Sequence, residues 1–314
     1  MRRSVGQPRC RAAVLPWVIL LAACADASRI ASPGRVEGSG ALPSKQGPTG
    51  GRILYAAGGP TDVFIMNADG SDVDQLTTAG SNEGTPAWAP DGKRVLYSSD
   101  ADNGFSFGIY VMNADGTGVT RLTTPPLSED DVSPAALGPY VVFVRQDFMA
   151  ITRALWRVND DGSDLTRLTS GPSDSDPTPA PNGKLVAFIR DGDVYVVDVA
   201  TRAVTRLTDT EDVESGPAWS PGGKQIAFAR RGPGPSNQDL FVMNADGTAI
   251  TQLTSTPDVN ERTPKWSPDG KRIAFSATLA GEWMSIWIMD ADGTSLNRIT
   301  PRTDFNHYLG AWAR

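Results

Sequence analysis

An internal repeat constrains this chain more than any other feature of its sequence. The dipeptide Leu-Thr recurs within a constant pattern at Leu76, Leu122, Leu168, Leu207 and Leu253, and Ile299 begins a sixth copy. Four of the five spacings are 46 residues and the other is 39. Repeats of this length predict an array in which each unit buries its apolar surface against its neighbours.

Each repeat carries the signals of four short strands, which we name A to D. The A strand contains Pro-x-Trp, the B strand resembles Ile-Ala-Phe, the C strand resembles Ile-Tyr-Val-Met, and the D strand ends at Leu-Thr. Asp-Gly turns join A to B and C to D, as tight hairpins require. Four strands in about 45 residues are typical of a propeller blade.

The two ends of the repeat region predict a closed ring. The first strand, at residues 52–55, is of the B type, and the last, at residues 308–312, is an isolated A strand. The last strand can complete the first blade, so that no sheet edge stays open. The sequence therefore predicts an all-β, six-bladed propeller over residues 52–314, with four antiparallel strands per blade.

The motifs Pro-x-Trp-Ser-Pro-Asp-Gly-Lys and Met-Asn-Ala-Asp-Gly resemble the WD40-like (PD40) repeats of the TolB β-propeller family. The resemblance covers residues 52–313 and is weakest in the third copy, where residues 133–138 lack the Trp and the Asp-Gly turn. It implies the propeller fold and a place in the bacterial envelope.

TolB carries an α/β domain before its propeller, and residues 25–51 are too few to supply one. We therefore expect a propeller-only lipoprotein and assign no residue to contact with Pal. Similar propellers also precede hydrolase domains, but the blades leave no room for one here.

The N-terminal residues predict export and a lipid anchor. Residues 1–23 have a basic start and an apolar stretch too short to span a membrane, as in a signal peptide. The stretch ends in Leu-Ala-Ala followed by Cys24, which resembles a bacterial lipobox and implies lipidation of that thiol. The alternative is an ordinary signal peptide cut nearby. Residues 24–51 are then the lipidated Cys and a flexible tether. Ala25 favours the outer membrane, facing the periplasm, over the inner membrane.

Charge and residue counts exclude several function classes. The chain has 29 basic and 36 acidic residues, a net charge of −7, and loss of the four Arg of the signal peptide makes it −11. Nucleic acid is not expected as a partner, because phosphate binding needs clustered Lys and Arg. The chain has a single His, His307, and only two Cys, Cys10 and Cys24. We therefore expect no zinc site, no disulfide and no cofactor.

One set of polar residues is a candidate binding site. These residues lie three positions before the Pro or aligned Gly of each A strand: Glu83, Asp131, Asp176, Glu214, Glu261 and His307. Because A strands are innermost in a propeller, we expect them to ring the channel mouth, where carboxylates repel one another unless something compensates. Three interpretations stay open: each caps a local turn, the set binds a basic partner, or it holds a hard cation such as Ca²⁺.

The connections between B and C strands are the second candidate site. They vary in length, and they should open on the same face as the acidic positions. Phe105 and Phe107 lie in blade 2, Phe148 in blade 3 and Trp283 in blade 6. Alternatively, these residues simply begin the C strands.

These features predict a non-catalytic envelope lipoprotein, a monomeric propeller that binds a protein or peptide partner with a basic segment. Its membrane contact would come through the lipid alone. The alternative is a propeller that binds or cleaves glycans at the acidic channel mouth, with His307 as an acid or base beside Glu261 and Glu83.

Overall fold

A computed structural model describes residues 51–78, 80–89, 91–102, 104–232 and 237–313. These residues form six four-stranded antiparallel sheets, which confirms the predicted six-bladed, all-β fold. No helix long and apolar enough to cross a membrane occurs in the described part of the chain. The predicted signal peptide, Cys24 and nearly all of the predicted tether lie outside the described residues.

Two strands of each blade, A and B, form its inner half. The A strands of blades 1 to 6 are β24 (His307–Ala313), β4 (Glu83–Trp88), β8 (Glu129–Leu137), β12 (Ser175–Pro179), β16 (Val213–Trp219) and β20 (Val259–Trp266). The B strands are β1 (Arg52–Gly58), β5 (Arg94–Ser99), β9 (Tyr140–Asp147), β13 (Leu185–Arg190), β17 (Gln225–Arg231) and β21 (Arg272–Leu279).

The C strands follow the B strands outwards, and the D strands at the rim of the ring are short. The C strands are β2 (Thr61–Asn67), β6 (Gly108–Asn113), β10 (Thr152–Asn159), β14 (Asp193–Asp198), β18 (Gln238–Asn244) and β22 (Ser285–Asp290). The D strands are β3 (Asp74–Gln75), β7 (Thr120–Arg121), β11 (Thr166–Arg167), β15 (Val204–Arg206), β19 (Thr251–Gln252) and β23 (Asn297–Arg298).

The last strand closes the ring, as predicted. β24 pairs with β1 in antiparallel register, with Ile53 opposite Trp312 and Ala57 opposite His307. Each A strand also contacts the A strand of the next blade, including β20 of blade 6 and β24 of blade 1. The first blade is therefore built from both ends of the described chain.

The hydrophobic core is divided into six clusters, one between each pair of neighbouring blades. Trp219, Trp266 and Trp312 are buried in three of these clusters, and Trp88 packs against a fourth. The indole N–H of Trp266 donates to the carbonyl of Ala218 in the preceding blade at 3.1 Å. The Trp residues of the repeat thus join neighbouring blades.

The turns between C and D strands also join neighbouring blades. In five blades the turn Gly has a positive φ, and a Cβ built on it would press on the carbonyl oxygen of the Leu or Ile that precedes Thr in the blade before. A Cβ built on Gly116 would lie 2.7 Å from the carbonyl oxygen of Leu76. Gly70 meets Ile299 in the same arrangement, across the seam between blades 1 and 6. The Asp-Gly and Leu-Thr motifs therefore recur together because one packs on the other.

The contact at the seam predicts a measurable cost for a single methyl group. Gly70 and Gly281 both have a positive φ, but only a Cβ on Gly70 meets another residue, since nothing lies within 4 Å of the Gly281 position. We expect Gly70→Ala to lower the free energy of unfolding by about 1–3 kcal/mol more than Gly281→Ala. Urea denaturation of both variants measures the difference. Equal losses would mean that this contact does not stabilise the seam.

Candidate functional site

The two faces of the ring differ in how regular their connections are. One face, which we call the loop face, carries the B–C and D–A connections, and the other, the turn face, carries the A–B and C–D turns. B–C connections span two residues in blades 1 and 4 and eight in blade 2. This variation agrees with the prediction that the loop face differs from blade to blade.

The acidic positions lie together as one layer at the start of the A strands. The pairing of each of these A strands with its B strand is interrupted by a β-bulge. One pair before the bulge is reached, the A strand places Glu83, Asp131, Glu214 or Glu261 opposite a B-strand residue, and His307 occupies the same position in blade 1. All five side chains are buried. The layer therefore exists, but these side chains are not free at the channel mouth.

The prediction for blade 4 is wrong by two residues. Pro177 and not Pro179 aligns with the Pro of the other A strands, because Thr178 pairs with Ala187 as Ala218 pairs with Ala227. Asp174 is therefore the buried member of the layer. Asp176 lies at the bulge with a φ of 51°, half-buried, and accepts a bond from the Gly216 N–H at 3.2 Å. The sequence Asp-Pro-Thr-Pro offers two prolines, and the spacing alone does not choose between them.

Buried Thr residues connect four members of the layer to the preceding blade. In all six Leu-Thr or Ile-Thr pairs, the Thr hydroxyl accepts the N–H of a C-strand residue of its own blade at 2.9–3.0 Å. In four of them it also donates to the carboxylate that follows in the next blade. Thr77 donates to Glu83 at 3.1 Å and Thr208 to Glu214 at 2.8 Å, while Thr169 and Thr254 bond Asp174 and Glu261. We call this arrangement the threonine bridge.

The carboxylates of blades 3, 4 and 5 are neutralised by an Arg of their own B strand. Arg145 makes two bonds to Asp131, at 2.6 and 2.7 Å, and Arg190 makes two to Asp174, at 2.6 and 2.9 Å. Arg230 donates to Glu214 at 2.9 Å. These bonds lie within single blades, so the charges of these three carboxylates are compensated without a partner or a cation.

The carboxylates of blades 2 and 6 are held by hydroxyl groups alone. Glu83 accepts from Ser81 at 2.5 Å and Ser99 at 3.1 Å, in addition to Thr77. Glu261 accepts from Thr256 at 2.8 Å, in addition to Thr254. Burial raises the pKa of both carboxyl groups, and the hydroxyl bonds oppose that rise. In the described part of the chain, no three His, Cys, Asp or Glu side chains lie close enough to share a metal ion.

His307 is buried beside aromatic rings. Its ring lies 5.6 Å from that of Tyr55 and 5.2 Å from that of Phe305. Burial lowers the pKa of the imidazole, and its Nδ1 atom has no hydrogen-bond partner among the described residues. Neither Glu83 nor Glu261 bonds to it there, so the predicted acid–base group is not assembled.

The predicted loop residues are exposed, with one exception. Phe105 is 92% exposed, Phe148 57% and Trp283 52%, whereas Phe107 is only partly exposed and leads into strand β6. Met149, next to Phe148 in the same loop, is 82% exposed, and the sequence analysis missed Leu127 and Ile151, which are more exposed than Phe148. These residues do not recur between blades, so the repeat gave no signal for them.

Five of these side chains form what we call the apolar patch: Phe105, Leu127, Phe148, Met149 and Ile151. Hydrogen bonds place their loops side by side, because both B–C loops bond to the connection between blades 2 and 3. Ser106 Oγ donates to the carbonyl of Glu129 at 2.7 Å, and the Phe148 N–H donates to that of Ser128 at 3.0 Å. Exposed apolar side chains grouped in this way mark a surface for binding another molecule.

A serine motif in blade 2 also has a structural explanation. Gly104, Ser106 and Gly108 have the Gly-x-Ser-x-Gly spacing of hydrolase nucleophile elbows. Here, however, the motif is a loop that leads into a strand, and the Ser106 hydroxyl is buried and donates to a backbone carbonyl. The motif thus lacks the strand–turn–helix context and the exposed hydroxyl that a nucleophile elbow needs.

The repeats match a known family over nearly their whole length. The family described as the TolB beta propeller domain (PD40) matches residues 36–193 and 190–312. The chain belongs to the TolB β-propeller family. The Tol-Pal system protein TolB of Francisella tularensis subsp. mediasiatica is 34% identical over 61 residues, 19% of this chain and 14% of that protein's length.

Solved structures share the fold of this TolB-family chain. TolB from Acinetobacter baumannii superimposes with a TM-score of 0.69 and 22% identity over 83% of this chain and 67% of its own. An oligogalacturonate lyase in complex with manganese gives a TM-score of 0.53 and 15% identity over 80% of this chain and 74% of its own. Likeness at this level of identity establishes the fold and leaves function to the residues of the site.

The raised pKa of Glu261 predicts a pH-dependent effect of Glu261→Gln. The folded state holds the proton above the ordinary carboxyl pKa of 4.5, so the ionised, buried group costs stability as the pH rises through the raised pKa. Gln cannot ionise. The melting temperature of the variant minus that of the wild type should therefore rise as the pH rises from 4.5 to the raised pKa, and then level off. Thermal melts from pH 4.5 to 7 measure this.

Asp292→Asn is the matched control with the opposite sign. The Thr294 hydroxyl and N–H bond the Asp292 carboxylate and lower its pKa, so its contribution is present above the ordinary value and lost at low pH. Asn at this position should therefore destabilise by a constant amount from pH 4.5 to 7 and lose this effect only below the ordinary Asp pKa of 3.8. A Glu261→Gln difference that falls with pH would contradict the prediction and point to a bound cation that stabilises the ionised carboxylate.

Proposed function

We propose that this chain is an exported, lipid-anchored envelope protein whose propeller binds a protein partner on its loop face and catalyses no reaction. The apolar patch carries this proposal. Leu127 is 95% exposed and Ile151 87%, next to Phe105 and Met149. Keeping such side chains in water is unfavourable, and covering them with a partner removes that cost. Membership in a family with Tol-Pal system proteins supports a binding or scaffolding role in the envelope.

The bonding of the polar residues supports a non-catalytic role. A glycan-cleaving propeller would need carboxyl groups at both sides of a substrate bond. Glu83 and Glu261 are instead buried and bonded to neighbouring hydroxyls, and His307 is buried beside Tyr55. The fold likeness to an oligogalacturonate lyase keeps glycan cleavage as the alternative. Incubating the pure protein with a panel of acidic and neutral glycans tests it, and bond cleavage would overturn the proposal.

The anchor proposal rests on the lipobox-like sequence that ends at Cys24. Cys24→Ser removes the thiol that would carry the lipid, so the variant should stay unprocessed or be released from membranes. Metabolic labelling with palmitate, followed by separation of membrane and soluble fractions, measures both properties. A wild-type chain without label and a variant that still partitions with membranes would together contradict a lipid anchor.

The docking proposal predicts that two serines in the patch abolish partner binding. Leu127→Ser/Ile151→Ser removes two exposed aliphatic side chains, so we expect a stability change within about 0.5 kcal/mol and loss of the partner. Chemical cross-linking in intact envelopes, read by mass spectrometry, measures partner binding.

The control is Ile250→Ser/Leu296→Ser. It removes two exposed aliphatic side chains that follow C–D turns of the turn face, and should leave the cross-links unchanged. If the patch variant keeps every cross-link of the wild type, the loop face of blades 2 and 3 is not the docking surface.

A further inference from the structure

A pocket opens on the loop face between blades 4, 5 and 6. Its volume is about 340 Å³, which is within the range of small ligand sites. It lies where three neighbouring A strands begin, and its lining residues are Asp176, Val213, Ser215, Gly216, Arg231, Gln238, Asn260, Arg262 and Thr263. A cavity of this size holds a side chain or a chain end.

Two arginines of this pocket have no carboxylate partner among the described residues, unlike three arginines at the equivalent ends of B strands. Arg145, Arg190 and Arg230 each pair with a carboxylate within 3 Å. Among the described residues, no carboxylate lies within 4.0 Å of the guanidinium of Arg231 or Arg262. Arg262 makes only a long bond, from its Nε to Asn260 at 3.4 Å. In a chain with more acids than bases, these donors remain available to a ligand.

A lysine lies on the same innermost strand as Arg262, outside the lining of the pocket. Lys265 of β20 is half-buried and pairs with Ala274 of β21, at a position where blades 2 and 5 have Ala87 and Ala218. Burial lowers the pKa of its amine, and the charge of Asp176 opposes that shift. Asp176 is the one carboxylate among the lining residues, and it is already engaged by the Gly216 N–H.

The remaining lining groups suit a planar acceptor. Ser215 Oγ accepts from Gln238 Nε2 at 3.0 Å, which leaves its own proton free to donate into the pocket. A carboxylate accepts from guanidinium groups in a planar, two-bond geometry, and such charge-assisted bonds are stronger than neutral ones. None of the lining residues is aromatic, whereas sugar rings commonly pack on aromatic side chains.

We propose that this pocket, the basic pocket, binds a carboxylate carried by an extended peptide segment of the partner, held by Arg231 and Arg262. The inference rests on the proposed function, because it assumes a protein partner on the loop face. The apolar patch would cover the apolar surface of that partner, and the basic pocket would take an Asp, a Glu or the C-terminal carboxylate. The apolar patch and the basic pocket, both on the loop face, would then bind different chemical groups of the partner.

The test is binding of a dye-labelled peptide of alternating Gly and Glu, followed by fluorescence anisotropy at low salt. The version with Gln in place of Glu is the ligand control. Arg231→Gln/Arg262→Gln should weaken binding of the Glu peptide at least about tenfold, because each substitution removes a charge-assisted hydrogen bond to the carboxylate.

Lys224→Gln/Lys271→Gln is the matched control variant. It removes the same charge from exposed side chains on the turn face of the same two blades, so binding should stay within about twofold of the wild type. Because all four side chains are exposed, both variants should melt with the wild type. Equal losses in the two variants would mean non-specific attraction and would overturn the proposal.

Competition distinguishes the sources of the anion. Oligogalacturonate that displaces the labelled peptide better than unlabelled Glu peptide does would assign the pocket to a glycan. Inorganic phosphate that displaces it equally well would reduce the pocket to a general anion site. Either result overturns the proposal, and so does equal binding of the Gln peptide.

Cross-linking of the same variants separates this proposal from the proposed function. If Leu127→Ser/Ile151→Ser loses the envelope partner while the arginine variant keeps it and no Glu peptide binds, the basic pocket fails and the docking function stands. If neither variant changes the cross-links, the docking function itself fails.

Discussion

The hydroxyl of one buried threonine per blade connects most of the features of this propeller. It accepts an N–H of the C strand beside it, and in four blades it donates to the carboxylate that begins the next blade. The carbonyl of the leucine or isoleucine before it packs closely against the turn glycine of the next blade in five of the six cases. Loss of the hydroxyl would leave a buried N–H donor unsatisfied, at a cost of about 1–3 kcal/mol, and in four blades would also remove one bond from the carboxylate. The Leu-Thr pair recurs because both of its residues bind across a blade boundary.

The fold could be predicted almost completely from the sequence, since each blade repeats its strand and turn signals and the isolated strand at residues 308–312 fits the empty place in blade 1. The acidic layer could be predicted only in part. A shared offset in a repeat fixes a shared distance from the axis, but not the direction in which a side chain points. Glu83 and Glu261 therefore lie at the expected level yet point into hydrogen bonds within the ring. Asp176 was misplaced because a second proline shifted the alignment by two residues.

The residues that carry the two proposals do not recur from blade to blade. Leu127 and Ile151 belong to connections of single blades, and the basic pocket joins side chains from three blades that are far apart in the chain. A repeated motif preserves the geometry of the ring, whereas a binding site needs positions that can differ from blade to blade. The loop face has such positions, and the turn face is occupied by contacts between blades.

The division of blade 1 between two distant segments has a consequence for how the molecule forms. Blades 2 to 6 are each built from a contiguous stretch of chain, so their strands can find one another locally. Blade 1 can be completed only last, because β24 follows all the other strands in the chain. Its pairing with β1 closes a loop that includes the whole ring. Until then β1 presents an unpaired edge, which is the surface on which strands of other molecules add and aggregates grow. During its biogenesis the protein is therefore most vulnerable to aggregation just before completion, and His307–Ala313 act as the strand that ends this vulnerable period.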